Sequence, residues 1–276
     1  MNNLRAILSV ILLAASAQAA DTFNINGKDI IVPAPKGFVR VTDEMIVVKR
    51  LVQQMQDPVN DTLAYYISES AVPAAMAGEI PEVDRWFILK INKQLRNMTV
   101  GNNDFSRLKE VMKGQNQKMF EKVKAQIPEH MNKMSQGVSQ EFDMEFAMSI
   151  SQMVPLDPHY ESDNTLGFSM YLKNEVTVGS EKKNTIISAT STFLNTSGAV
   201  LFLYGYGPQN QLEWTRSASM KWAENVMTNN SQPPQKSPNS GGINWGKVFE
   251  KGLVGAIVAG LFALIAGAVA IFKKKE

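Results

Sequence analysis

Residues 252–272 hold no charged side chain: eleven are Leu, Val, Ile or Phe, six are Ala and four are Gly. As a helix rising about 1.5 Å per residue, such a run matches a hydrocarbon core about 30 Å thick. The large apolar residues contribute on the order of −3 to −7 kcal/mol to insertion, less a modest penalty for the glycines. The run is apolar on every side and is closed by Lys273-Lys274-Lys275-Glu276, a pattern that suits lipid better than the interior of a soluble domain. The expectation is one transmembrane helix over 252–272, with the tail 273–276 cytoplasmic by the positive-inside rule. Gly255, Ala259, Ala263 and Gly267 recur every fourth residue. Such a stripe lets a second helix approach closely, either from another copy of this chain, giving a homodimer, or from a partner span.

The other end points the same way. Arg5 precedes an apolar run from Ala6 to Ala15, and Ala17-Gln18-Ala19 is a small-x-small cleavage site. Ten residues cover only about 15 Å as a helix, too short to span, so residues 1–19 read as a secretory signal peptide that is removed. Together the ends predict a protein of the bacterial inner membrane whose domain faces the periplasm. A eukaryotic reading stands beside it. Lys273 and Lys274 are similar to a dilysine ER-retrieval signal, and Asn60, Asn97, Asn195 and Asn229 begin formal glycosylation sequons.

The charge balance is a property of the termini. Lys and Arg number 28 against 26 Asp and Glu, but Arg5 lies in the leader and residues 247–276 carry five Lys against two Glu, which leaves the stretch between them at −2. No broad basic surface for nucleic acid follows. The absence of Cys excludes disulfides, thiolate metal sites and cysteine catalysis, and two His leave little for a histidine metal site or a catalytic triad. No G-x-S-x-G, S-x-x-K or Gly-rich phosphate loop stands in the chain, and no catalytic residue and no cofactor is assigned.

Between the ends, residues 20–229 read as the exported domain and 230–251 as a linker and juxtamembrane segment. Residues 229–242 contain no aliphatic or aromatic side chain and read as a tether, with Trp245 and Phe249 in the interfacial aromatic belt. Asn26-Gly27 inside 23–32 predicts a type I′ hairpin. Thr42 is the expected N-cap of a helix, with Val41 and Ile46 as its hydrophobic staple, Val48, Leu51, Val52 and Met55 as its buried stripe and Asp57-Pro58 as its end. Residues 63–70 and 86–91 read as strands. Asp104 is expected to cap a long helix with Leu108, Met112, Met119, Val123 and Ile127 on one face, interrupted or restarted at Pro128.

Past Gly137 the period changes to two. Phe142, Met144, Phe146, Met148 and Ile150 alternate, as do Leu166, Phe168, Met170 and Leu172, and strands at 187–193 and 200–206 flank a turn at 195–198. Four successive strands imply an antiparallel meander. A last helix is expected from Asn210, with Glu213 completing a capping box and Leu212, Thr215, Ser219, Trp222 and Val226 as the buried stripe. Helices before and after the strands can cover opposite faces, so the expected fold class is α+β: an α/β/α sandwich with a mainly antiparallel sheet, plus the C-terminal transmembrane helix.

Pro35-Lys36-Gly37-Phe38, the strand Val200-Leu-Phe-Leu-Tyr-Gly-Tyr206 and the helix start Glu213-Trp214-Thr215-Arg216 resemble the Mog1/PsbP-like group over residues 23–229. The resemblance implies a non-enzymatic domain that binds other proteins or stabilises assemblies, and it carries over no individual residue. On the residues themselves, Trp214, to one side of the buried stripe, and Arg216 are the expected protein contact. Two further readings remain. Asp157, His159, Glu161 and Asp163, or His130 with Met131, Met134, Met144, Met148 and Met153, could hold a metal or small ligand, against loop and core roles for the same residues. Spatially paired carboxylates could support a hydrolase.

Overall fold

The computed structural model describes residues 20–55, 59–230, 244–248, 250, 251 and 254. The expected signal peptide, Asp57-Pro58, most of the expected tether, Phe249 and the expected span, apart from Val254, lie outside the described residues. No helix among the described residues is long and apolar enough to cross a membrane.

The protein is α+β, with a sheet whose paired strands are all antiparallel. A hairpin of β1 (Asp21–Ile25) and β2 (Lys28–Val32) turns through Asn26 and Gly27, at φ 50° and 72°, the two positive values that a type I′ turn requires. The main sheet runs β3 (Phe38–Arg40), β4 (Asn60–Ser68), β5 (Trp86–Asn92), β10 (Ala199–Pro208), β9 (Glu181–Thr196), β8 (Thr165–Val178), β6 (Phe146–Pro155), and β7 (Tyr160–Ser162) continues the β6 edge along β8. Strands β6, β8, β9 and β10 form the expected meander, turning through Ser197 and Gly198 before β10.

Strand alternation sends two sets of side chains to two covers. Ile88, Phe202, Tyr204, Phe193, Leu166, Phe168 and Met170 face α1 (Ile46–Gln53), α2 (Val72–Met76) and α3 (Asn102–Phe142). Phe87, Leu89, Ile91, Leu201 and Leu203 face α4 (Leu212–Asn229) and the β1–β2 hairpin. The second cover changes character along the sheet. Near β5 it is aromatic, with Trp222 edge-on to Tyr66 and Phe87. Toward β8 it is built from buried Ser169, Ser188, Thr190, Thr192, Thr215 and Ser219.

Three of these hydroxyls, Ser169, Thr190 and Thr215, form a directed chain. Arg216 Nε donates to Ser169 Oγ (3.4 Å), which lies 3.0 Å from Thr190 Oγ1; Thr190 donates to Thr215 (3.1 Å), and Thr215 to the carbonyl of Leu212 (2.8 Å). Small side chains here bring α4 close to the sheet backbone. A Cβ on Gly205 would stand 2.5 Å from Ser219 Oγ and 2.7 Å from Phe87 Cε1.

Several helix ends differ from expectation. Helix α1 starts at Ile46 behind Met45, not at a Thr42 cap, and Ile46 is 61% exposed, so no staple forms. Its stripe of Val48, Leu51, Val52 and Met55 is buried as expected. Helix α3 begins behind Gly101 without a side-chain cap, and Asp104 stands buried in its first turn. It passes through Pro128 and continues to Phe142. The strand therefore starts at Phe146, after Asp143 closes the helix in the left-handed conformation (φ 48°). Alternation at Phe142 and Met144 suits a helix end as well as a strand, and tertiary packing decides between them. Ser135 and Ser139 accept the backbone N–H groups of Met148 and Phe146 along the otherwise bare edge of β6 (3.1 and 3.2 Å). Helix α4 begins behind Gln211 with no side-chain cap, because Gln209–Gln211 form a 3₁₀ turn where the Asn210 box was expected.

Gly205→Ala is expected to destabilise the protein by about 1–3 kcal/mol, since both neighbours of the added methyl are held in packed core. A denaturant midpoint unchanged from the parent chain would contradict this close approach.

Candidate functional site

Three places bring chemistry-bearing residues together, and the first lies where a tether was expected. Asn230 is fixed to the β2 backbone: its side chain accepts from the Ile31 N–H (2.9 Å) and donates to the Ile31 carbonyl (2.6 Å). From Asn244 on, described residues again pack on the domain. Residues 245–248, 250, 251 and 254 are helical, and Asn244 Oδ1 caps the start by accepting the Lys247 N–H (3.0 Å). Trp245, Val248 and Val254 are 7%, 0% and 3% exposed and join the same core as α3.

Polar contacts fix this segment in place. Gln126 donates to Glu250 (2.7 Å), Lys122 stands 3.7 Å from the same carboxylate, and buried Asn60 donates to the Lys251 carbonyl (3.0 Å). Asn92 in turn donates to Asn60 Oδ1 (3.2 Å), orienting its amide. The described residues of 244–251 are thus docked on the domain, and Trp245 is a core residue where a place in an aromatic belt was expected. An apolar pair at 245 and 248 satisfies a protein groove as well as a lipid interface, and sequence spacing does not distinguish them.

The second place is the flank of α4 at the start of β5. Trp214 is half-buried against Phe38 and Phe87, with ring centroids at 6.1 and 5.8 Å, and the Arg85 guanidinium lies 4.5 Å from its ring centre. Arg85 Nε also donates to Gln211. Arg216 is not part of this patch. Two residues on, it projects from another flank of α4, toward Ser169 on β8, and pairs with Glu213 (3.0 Å). A helix turns about 100° per residue, so neighbours two apart diverge. Arg85, on the loop before β5, was missed because only its position over the Trp214 ring marks it.

The third place is the 157–163 loop, which the structure divides. Glu161 is engaged by Lys113 (3.0 Å) and Lys109 (3.2 Å) of α3, and the Lys113 hydrogen bond foremost holds its carboxyl below the usual range. Lys109 also donates to the Ser162 carbonyl (2.6 Å). His159 lies over Gly167, whose added Cβ would stand 3.4 Å from the imidazole, on the face where Arg216 sits. Burial, reinforced by Arg216 and partly opposed by Glu213, lowers its pKa to about 4. Its buried Nδ1 has no hydrogen-bond partner among the described residues. No three His, Asp or Glu side chains converge among the described residues. Met131, Met134, Met144 and Met148 are core residues beneath the sheet, Met153 packs against that core, and His130 is half-exposed on α3.

No family model matches the chain, and no curated protein matches it in sequence.

The lowered pKa of His159 sets a pH dependence. In the unfolded chain the imidazole takes up a proton near its ordinary 6.5, whereas in the fold it does so only near 4. Between those values the unfolded state binds more protons, so stability falls on acidification through this window. Urea midpoints at pH 7 and pH 5 should differ more in the parent than in His159→Gln; equal differences would remove His159 as the cause.

Proposed function

We propose that this chain is an anchored, non-enzymatic binding or assembly protein whose contact face points away from the membrane. In this reading the signal peptide 1–19 is removed and the domain stands in the bacterial periplasm as an α/β/α sandwich. The 252–272 helix crosses the inner membrane, with the lysine tail in the cytoplasm. The resemblance to the Mog1/PsbP-like group agrees with a binding role.

One observation carries the proposal. The segment leading to the span docks at the Asn60 and Asn92 end of β4 and β5, while the Trp214–Arg85 patch lies beside Trp86, at the other end of β5. Six residue steps of extended strand separate those ends by about 20 Å. An anchor at one end of the sheet therefore leaves the aromatic and arginine patch presented outward. Half-buried Trp and Arg are the residue types that dominate protein interfaces, because a rigid ring desolvates a large area at little entropic penalty. Metal binding has less support, since Glu161 is taken by two lysines and four of the five methionines are buried.

Two measurements test this. Replacing Trp214 in cells with a photo-crosslinking amino acid should yield a defined protein adduct that the same probe at exposed Lys183 does not. The absence of any adduct specific to position 214 would remove the patch as a contact. The docked anchor is tested separately by Gln126→Cys with Glu250→Cys in the full-length chain, which has no cysteine of its own. An intramolecular disulfide is expected in membranes, and persistent free thiols under oxidising conditions would return the segment to the role of a loose tether.

A further inference from the structure

We propose that the cleft between α1 and the bulged edge of β4 binds a small oxyanion, a phosphate or carboxylate group. Strand β3 pairs with β4 only as far as Arg40 opposite Tyr66, and the Val41 N–H reaches the Tyr65 carbonyl (2.8 Å). Beyond that point α1, instead of a strand, faces the β4 edge. The ladder between β4 and β5 slips at the same place, between Thr62 and Ala64. Bulges of this kind re-aim side chains and recur beside binding sites. The result is a cavity of about 120 Å³ whose lining includes Arg40, Lys49, Gln53, Thr62 and Tyr65.

The donor set selects the ligand. Arg40 is fixed at the rim: Nη1 donates to Asp21 (2.7 Å), Nη2 to the Leu63 carbonyl (3.3 Å), and its guanidinium lies 5.3 Å from the centre of the Phe23 ring. Lys49 is paired with Asp43 at 3.0 Å, but that carboxylate is 92% exposed, so water screens the pair and a ligand oxygen can replace it. Gln53 lies one helical turn from Lys49 on the same side of α1, adding an amide donor. Thr62 Oγ1 is buried at the cavity wall, with no hydrogen-bond partner among the described residues. Among the described residues no Asp or Glu lines the cavity. A lysine whose counter-ion is exposed, an amide and a hydroxyl beside the Arg40 guanidinium match the size of one oxyanion end group in so small a volume.

This inference is independent of the anchored-binding reading. Isothermal titration of the full-length chain in zwitterionic nanodiscs, with inorganic phosphate and with acetate at ionic strength fixed by sodium chloride, reads it directly. Saturable binding of at least one anion is expected, weakened fivefold or more in Lys49→Gln and in Thr62→Val. Lys49→Gln changes a partly exposed helix position, and an unfolding midpoint equal to the parent confirms that it folds. No saturable binding of either anion, or unaltered affinity in both variants, overturns the proposal. Competition by phosphatidylglycerol in the nanodisc would place the phosphate on a lipid head group, and its absence on a soluble ligand; either outcome is read only where phosphate itself binds.

Discussion

Strands β5 and β10 lie side by side with almost no surface of their own left to solvent: every residue of β5 and all of β10 but Pro208 are buried. A strand pair apolar on both sides must be covered on both sides, because leaving either face wet would forfeit roughly 25 cal/mol for each Å² of apolar surface. That constraint calls for a cover on each face: α1, α2 and α3 on one side and α4 on the other. It also explains the 41-residue length of α3, which has to follow the sheet from the β9–β10 turn to the outer strand β6.

The two covers meet the constraint by different chemistry. Beneath α3 most contacts are methionine, leucine and phenylalanine, which fill an uneven space. Beneath α4 the helix lies so close to Gly205 and Gly207 of β10 that an added Cβ would meet Ser219 and Thr215, and three hydroxyls, Ser169, Thr190 and Thr215, link Arg216 to the Leu212 carbonyl. Close approach and a continuous hydrogen-bond chain depend on each other there. A larger residue would push the helix away, and an apolar one of the same size would strand its neighbour.

At the end of the sheet where β5 stops, the protein uses a buried amide pair in place of more apolar area. Asn60 and Asn92 accept desolvation because each has a partner, and one of those partners is the carbonyl of Lys251. Such a contact adds specificity beyond what the burial of Trp245 and Val248 supplies: an apolar groove accepts any amphipathic helix, whereas an oriented amide accepts one register. The domain therefore meets whatever follows residue 254 through a docked helix, at a defined end.

The amino-acid sequence alone determined the elements whose signals are local. The alternations at 166–172, 187–193 and 200–206, the Asn26-Gly27 turn and the stripe from Thr215 to Val226 each follow from a period of two or 3.6, or from a required positive φ, and none needs a distant partner. It also contains the uncharged run that begins at Gly252. Only tertiary structure decided where α3 ends, that Trp214 and Arg216 serve different flanks, that Glu161 and His159 part company, and that Trp245 belongs to the core. Each of those depends on a partner outside the local period: Phe146 and Met148 on the next strand for the serines of α3, and, farther along the chain, Arg85 for Trp214, Lys113 for Glu161 and Asn60 for Lys251. A burial pattern records that a side chain is hidden, but which surface hides it is set by how the elements close on one another, and that is a property of three dimensions.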